Sequence, residues 1–554
     1  MSWLRGNHSF KFGGNVIRRQ YNFYQVLNQR GNFQFDGSFT SQLGVGGTGS
    51  GLGDFFLGFP LSSTLAVINN PVGQRQTEMG LYFHDTWKAT PKLTLSLGLR
   101  YELFTPRVEV YDRQGNFDPT YPGGAVVVAS DRAPCGRALR CTDTKDFAPR
   151  AGFAYQVSRK WVVRGGYGIS YDDYAVHAFG GITTGLMINP PFWRGQAIIN
   201  SITTPTNRLQ DGVPPVVSVP VTDGRVVPVP GLLYQTKYQN PYGKNSYVQQ
   251  WNLTVERELV TDLLASVSYV GNKGTRNMYS SNINQADPGP GAVATRRPFP
   301  AWPDITTMYM DGLSNYNSLQ AKMQKRFSGG LSFLAGYTWA KSIDNAKGEF
   351  GAPMVVRDLK RDRARSDWDI NHRFIFSGTF ELPFGRGKAL ASDAKGLAGK
   401  LIEGWMVNPI ITLQTGLPFT PSLVASVANT GTFSRPDRVG SGKLDTRTAD
   451  RWFDPSAFST PALYTFGNSG RNILTGPGTH QVDLSFQKTT TFSSDGNLAL
   501  QFRAEFFNLF NTPQLNNPDA GIGSPNVGRI LAAGDPANFT RTSRQIQLGL
   551  KFYF

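Results

Sequence analysis

The side chains best suited to acid–base or metal chemistry are five histidines, His8, His84, His177, His372 and His480, and their spacing supports neither. They are scattered without the short intervals that put several imidazoles on one ion, and no G-x-S-x-G, H-E-x-x-H or P-loop pattern accompanies them. His372 lies beside Asp369 and Arg373 where a long loop enters a strand. A general acid there is one reading, and hydrogen bonding at a rim is the plainer one. Gly44-Val45-Gly46-Gly47-Thr48-Gly49 satisfies G-x-G-x-x-G, but no buried strand precedes it and no amphipathic helix follows directly, so it does not read as a dinucleotide site. The run Arg361-Asp362-Arg363-Ala364-Arg365-Ser366-Asp367 has the charges to hold an anion or calcium, with a solvated loop as the default. Cys135 and Cys141, in CGRALRC, can close a small disulfide in an oxidising compartment or stand as reduced surface thiols; two ligands alone do not make a metal site. These residues point to no enzyme and no cofactor, so function must rest on the elements that carry them.

Composition favours one large closed sheet over a set of soluble domains. The 554 residues exceed the usual span of a single hydrophobic core. Aromatic residues make up 12% and there are 61 glycines, yet the mean hydropathy is −0.30. No apolar run approaches the roughly 18 residues of a membrane helix. A transmembrane β-barrel escapes that test, because alternate residues face a polar interior. The net charge of +17 is scattered, dense only from Arg357 to Arg373, and no nucleic-acid module is present. Nucleic acid is therefore excluded as a partner, and solvated loops with a basic pore lining account for the surplus.

The chain is organised around alternation. From Gln545 to Phe554, Ile546, Leu548, Leu550, Phe552 and Phe554 share one face, and Gln545, Gln547, Gly549, Lys551 and Tyr553 the other. The clearest hairpin runs from Met79 to Leu103, with Leu93, Leu95, Leu97, Leu99, Tyr101 and Leu103 opposite Thr94, Ser96, Gly98, Arg100 and Glu102. Asp85 breaks its apolar phase, which suggests the membrane boundary. The same unit recurs around Ser158-Arg159-Lys160, Glu258 to Asp262, Ser328-Gly329-Gly330 and Ser493 to Gly496. Tight turns join the arms of each pair, whereas polar segments such as Thr105 to Phe147, Asp173 to Asn245 and Thr420 to Gly478 join the pairs. Short turns at one rim and long loops at the other are how outer-membrane barrels are built. Counting arms gives roughly sixteen strands, enough for an aqueous lumen. Pro409 demands a break in its ladder, and Leu390, Leu397 and Leu401 mark a short rim helix.

The runs YFHDTWKATPKLTLSLGLRYE, APRAGFAY, VVRGGYGISYD, QQWNLTVERE, SYVGNKGT, DINHRFIFSGTFELPFG, TGLPFT and RAEFFNLFN resemble the barrel domain of TonB-dependent outer-membrane receptors. The resemblance is greatest to the Oar-like group, which carries a carboxypeptidase-regulatory-like domain. It implies an all-β, transmembrane antiparallel barrel with long extracellular loops, the C-terminal part of a 22-stranded barrel. Residues 1–554 would then be the barrel domain, N-terminally truncated, without plug or regulatory-like domain. It also implies the cell outer membrane of a Gram-negative bacterium, with outer-membrane lipids and the barrel assembly machinery as partners, and the TonB complex reached only through the missing N-terminal part. The ligand is an unknown solute or polymer. Terminal Phe554 resembles the aromatic assembly signal of such barrels.

Residues out of phase with the apolar band should line the lumen: Arg100, Arg164, Gln250, Lys322, Gln324, Arg373, Gln501, Arg503 and Glu505. With several cations among them, the pore would favour anionic solutes or a carboxylate-rich plug. The function expected is binding and transport of a solute across the outer membrane; the alternative is a structural or adhesive surface barrel, or a passive pore. Exported, Cys135 and Cys141 would lie in one extracellular loop as a disulfide.

Overall fold

The computed structural model describes residues 1–23, 28–42, 48–68, 72–172, 191–213, 219–228, 236–346, 351–492, 498–534 and 542–554. His177, most of the Gly44–Gly49 run and the turn from Ser493 to Gly496 lie outside the described residues.

Fifteen strands follow one another as an antiparallel meander: β1 Ser2–Arg5, β2 His8–Phe23, β3 Val72–Thr90, β4 Leu93–Phe104, β5 Asp143–Ser158, β6 Trp161–Asp172, β7 Ser246–Val260, β8 Leu263–Asn282, β9 Ile305–Ser328, β10 Leu331–Asp344, β11 His372–Glu381, β12 Trp405–Gln414, β13 Thr479–Thr491, β14 Ala499–Phe507 and β15 Gln545–Tyr553. Three short strands, Val108–Glu109, Thr236–Tyr238 and Ala364–Arg365, complete an 18-stranded sheet. Among the described residues the meander has fifteen strands, against the roughly sixteen arms counted in the sequence. Among the described residues, no pairing joins β1 or β2 to β15.

Alternation fixes which way each side chain points, because a slip of one residue would turn every strand inside out. Phe12 pairs with Phe83, Phe83 with Leu99 and Leu97 with Ala151, so the apolar residues share one face across strands. On it Leu81, Phe83, Leu97, Leu99, Leu253, Val267 and Trp339 stand exposed. That arrangement would be costly in water and is the expected state against lipid hydrocarbon. Asp85 does belong to this face, and its position has a partner the sequence did not supply. The His8 ring places Nδ1 2.7 Å from an Asp85 carboxylate oxygen, stacked near Phe10 and Trp87. A charge on the outer face is thereby hydrogen-bonded rather than simply shed at the boundary.

The short rim is made by two-residue turns, of which Gly329 and Gly330, both at positive φ, need glycine to match the strand twist. Pro409 sits inside β12 and pairs with Leu484 of β13, while pairing with β11 lapses between Ser377↔Ile410 and Phe380↔Val407. The missing amide donor is felt on one side only. The longer rim connection carries a short α-helix, Gly396–Ile402, which holds Leu397 and Leu401. Leu390 lies before it, bridged to Phe384, so helical spacing misplaced that residue.

Candidate functional site

The inner face of the sheet assembles the nine residues expected to line it. Arg100 pairs with Ala148, and Ala154, three steps of two further along the same face of β5, pairs with Arg164. Arg164 pairs with Thr254, Gln250 with Asn272, Lys322 with Ser266 and Gln324 with Leu264. Arg373 pairs with Thr338, and Gln501, Arg503 and Glu505 pair with Thr489, Gln487 and Ser485. Successive registers therefore carry one polar face from β4 to β14. Its charge is more balanced than the sequence suggests. Arg100 donates to Glu102 at 2.7 Å and to Asn15 at 3.1 Å, Arg164 lies 3.2 Å from Glu256, and Arg19 is paired with Glu78. Arg503 donates to Gln501 at 2.7 Å. Among the described residues, Arg150, Lys322 and Arg373 keep no carboxylate partner. Arg150, on the same face through Gly98 and Gly168, was not picked from the sequence.

The long connections are not merely polar, which corrects the sequence reading. Phe117, Val126, Val219, Val226, Trp302 and Ile305 form a buried cluster drawn from three loops and the start of β9. The indole of Trp302, 1% exposed, donates to Gly123 O at 3.1 Å and meets Phe117 edge-on. A second cluster, Phe419, Phe453, Ala457, Phe458 and Leu474, is covered by Ala520, Ile522 and Val527 from the last long loop. Aromatic residues that fall in no strand phase thus find one another across loops, and their burial gives the loops soluble-type cores.

Ion pairs bolt these loops together. Arg435, 2% exposed, donates to Asp362 at 2.9 Å and to Arg361 O at 3.0 Å. Arg471, 1% exposed, is paired with Asp344 and, at 3.2 Å, with Asp367. Arg365 reaches Asp369 at 2.7 Å and Thr475 at 2.9 Å. The run from Arg361 to Asp367 is therefore a clasp rather than a solvated loop. Its carboxylates are spoken for by buried arginines that no motif announces. His372 sits at the same rim with Nδ1 2.8 Å from the Tyr337 hydroxyl, a hydrogen bond and no acid–base pair.

Cys135 and Cys141 are joined by a disulfide in the loop between β4 and β5, their Cα atoms 4.8 Å apart. Phe554 follows β15 with its ring 6.1 Å from that of Phe552 and is almost fully exposed. In the loop between β6 and β7, Lys237 is buried in the Thr236–Tyr238 strand alongside Ile305–Thr307, and burial pushes its amine down to about 7. Sequence gave no sign of it.

An antiparallel meander with an apolar outer face, a polar inner face, tight turns at one rim and folded loops at the other is the wall of a membrane-spanning β-barrel. The chain belongs to the outer membrane beta barrel domain family, whose model matches residues 1–547, and its place is the outer membrane of a Gram-negative cell with the long loops outside. No curated protein matches the chain. Among solved structures, it is similar to the outer membrane transporter YddB from Escherichia coli, at 10% identity and a TM-score of 0.51, covering 100% of this chain and 53% of that one. It is also similar to the pyoverdine outer membrane receptor FpvA from Pseudomonas aeruginosa PAO1 bound to pyoverdine, at 11% identity and a TM-score of 0.48, covering 100% and 51%. At such identities the likeness is one of fold. The chain spans about half the length of these structures.

Proposed function

We propose that this chain supplies the wall and the extracellular loop cap of a TonB-dependent receptor that binds a solute and passes it across the outer membrane. The observation that carries this reading is the pairing of a continuous polar inner face with loops that own buried cores. A diffusion pore needs the first and not the second, whereas a receptor needs surfaces rigid enough to hold a ligand at low entropic cost. Coupling to TonB, the Oar-like affiliation and a plug within the lumen rest on the sequence resemblance. Uptake of candidate solutes by cells producing the protein should be lost when the TonB complex is removed. Uptake that proceeds equally without TonB would replace this reading with a passive pore. An adhesive or structural barrel would show neither.

The inner face also sets an expected preference. With Arg150, Lys322 and Arg373 unneutralised by carboxylates, an open lumen should conduct anions better than cations in planar bilayers. Changing all three to Gln should move the reversal potential toward cation preference.

A further inference from the structure

Of the connections at the short-turn rim, which faces the periplasm when the long loops lie outside, the one between β11 and β12 carries the helix Gly396–Ile402. Register shows on which side of the wall the helix lies. Gln487 pairs with Arg503 on the inner face, so its neighbours Phe486 and Lys488 point outward, as do Val407 and Trp405 opposite them. Lys488 donates from Nζ to Lys400 O and Glu403 O, each at 2.7 Å, and the Trp405 indole donates to Leu401 O at 2.9 Å. The last turn of the helix is thereby pinned to the outer face, one step beyond the apolar pair Val407↔Phe486.

The helix leaves its apolar side uncovered. Leu397 and Leu401, four apart and so on one face, are 82% and 67% exposed. The Phe492 ring, with Lys400 Nζ 5.3 Å from its centroid, is half exposed beside them. A helix of two turns is not stable by propensity alone and owes its stability to what its apolar face packs on. Around that face the connection carries Arg386, Lys388, Lys395 and Lys400 against Asp393 and Glu403. Lys388 is held by Glu381 at 2.6 Å, whereas Lys395 and Lys400 enter no ion pair among the described residues. Exposed leucines flanked by lysines, on a helix continuous with a lipid-facing wall, are the pattern of a helix lying in a membrane interface.

We propose that the helix Gly396–Ile402 docks onto the periplasmic leaflet of the outer membrane, with Leu397 and Leu401 among the acyl chains and Lys395 and Lys400 on the phosphates of anionic phospholipids. Two features choose lipid over a protein partner. The surface is continuous with the outer face of β12 and β13, which already meets hydrocarbon, and its free charges include the cations that an anionic leaflet attracts. Docked in this way, the helix holds the wall at β11 to β13 at a fixed depth in the bilayer.

The two native cysteines are joined to each other, so a third takes a thiol-reactive, polarity-sensitive fluorophore alone. The full chain with Leu397→Cys, labelled and reconstituted in nanodiscs of phosphatidylcholine with phosphatidylglycerol, would be exposed to lipids spin-labelled on the acyl chain and, separately, to acrylamide. Emission should be blue-shifted, quenched by the spin-labelled lipid and sheltered from acrylamide. In the Lys395→Gln/Lys400→Gln background, the ratio of lipid-buried to water-exposed probe should fall roughly fivefold for each lysine lost, and nanodiscs of phosphatidylcholine alone should reproduce that fall. All three positions are exposed, and a wild-type heat-modifiable gel shift verifies that each variant folds. Quenching by acrylamide and not by lipid would overturn the proposal. So would a probe depth indifferent to both lysines and lipid charge, or shelter that persists in detergent and grows with protein concentration, which would assign the face to a second copy of the chain.

Discussion

The wall and the cap of this protein obey opposite rules. In the wall, large apolar side chains such as Leu81, Leu97 and Val267 face outward, and order comes from a ladder of backbone hydrogen bonds between neighbours in sequence. In the cap, Trp302, Phe117, Phe453 and Phe458 are buried, and order comes from side chains brought together over long separations. The difference follows from the solvent on each side. Hydrocarbon forbids unsatisfied backbone but welcomes apolar surface, while water allows loose backbone but drives apolar surface inward. One chain therefore carries a membrane-type fold and a soluble-type fold joined end to end.

Substitutions should separate the two most sharply where charge or volume is buried. Arg435→Ala strips the buried carboxylate of Asp362, 3% exposed, of its partner and should cost the cap about 3–5 kcal/mol, the usual penalty for an orphaned buried charge. Trp302→Ala should cost a similar amount through the cavity it leaves. Both should speed proteolysis within the long loops while leaving the heat-modifiable shift of the barrel on gels intact. Loss of that shift would show that wall and cap do not fold separately.

The converse change is Val267→Arg, on the exposed outer face of β8. Placed within the apolar band, it should destabilise the wall by about 2–4 kcal/mol. Urea titration of barrel tryptophan fluorescence in lipid should register it, whereas loop proteolysis of the folded fraction should not change. An unperturbed titration would mean that this face does not meet hydrocarbon.

Breaking the disulfide with Cys135→Ser/Cys141→Ser should be milder, since a short closed loop restrains the unfolded chain by only about 2 kcal/mol. The effect should be confined to the cap. Mass spectrometry of non-reduced peptides from outer-membrane material should find the linked pair.

The last effect concerns pH. Burial lowers the Lys237 amine from its ordinary 10.5 to about 7. Between those values the unfolded state binds the extra proton, so cap stability rises with pH through that window and is lowest below it. Lys237→Met should flatten this dependence. Thermal melts of loop protease resistance at pH 6.5 and 9.5 would reveal it as a narrower difference than in the wild type.

How much could be read in advance divides along the same line. Leu93 to Leu103 could be assigned to one face, and Arg100, Arg164 and Arg503 to the other, because a strand's side chains alternate with a period of two and each hairpin inherits the phase of the last. Even Pro409 announced its broken ladder. No such period links Arg435 to Asp362, or Trp302 to Phe117, which lie far apart in the chain and meet only when several loops fold together. Thus the alternation alone determined the wall, its two faces and its rims. Only the tertiary structure decided the cap's cores, the clasp built from Arg361 to Asp367 and the burial of Lys237, because those depend on contacts between segments that carry no local pattern.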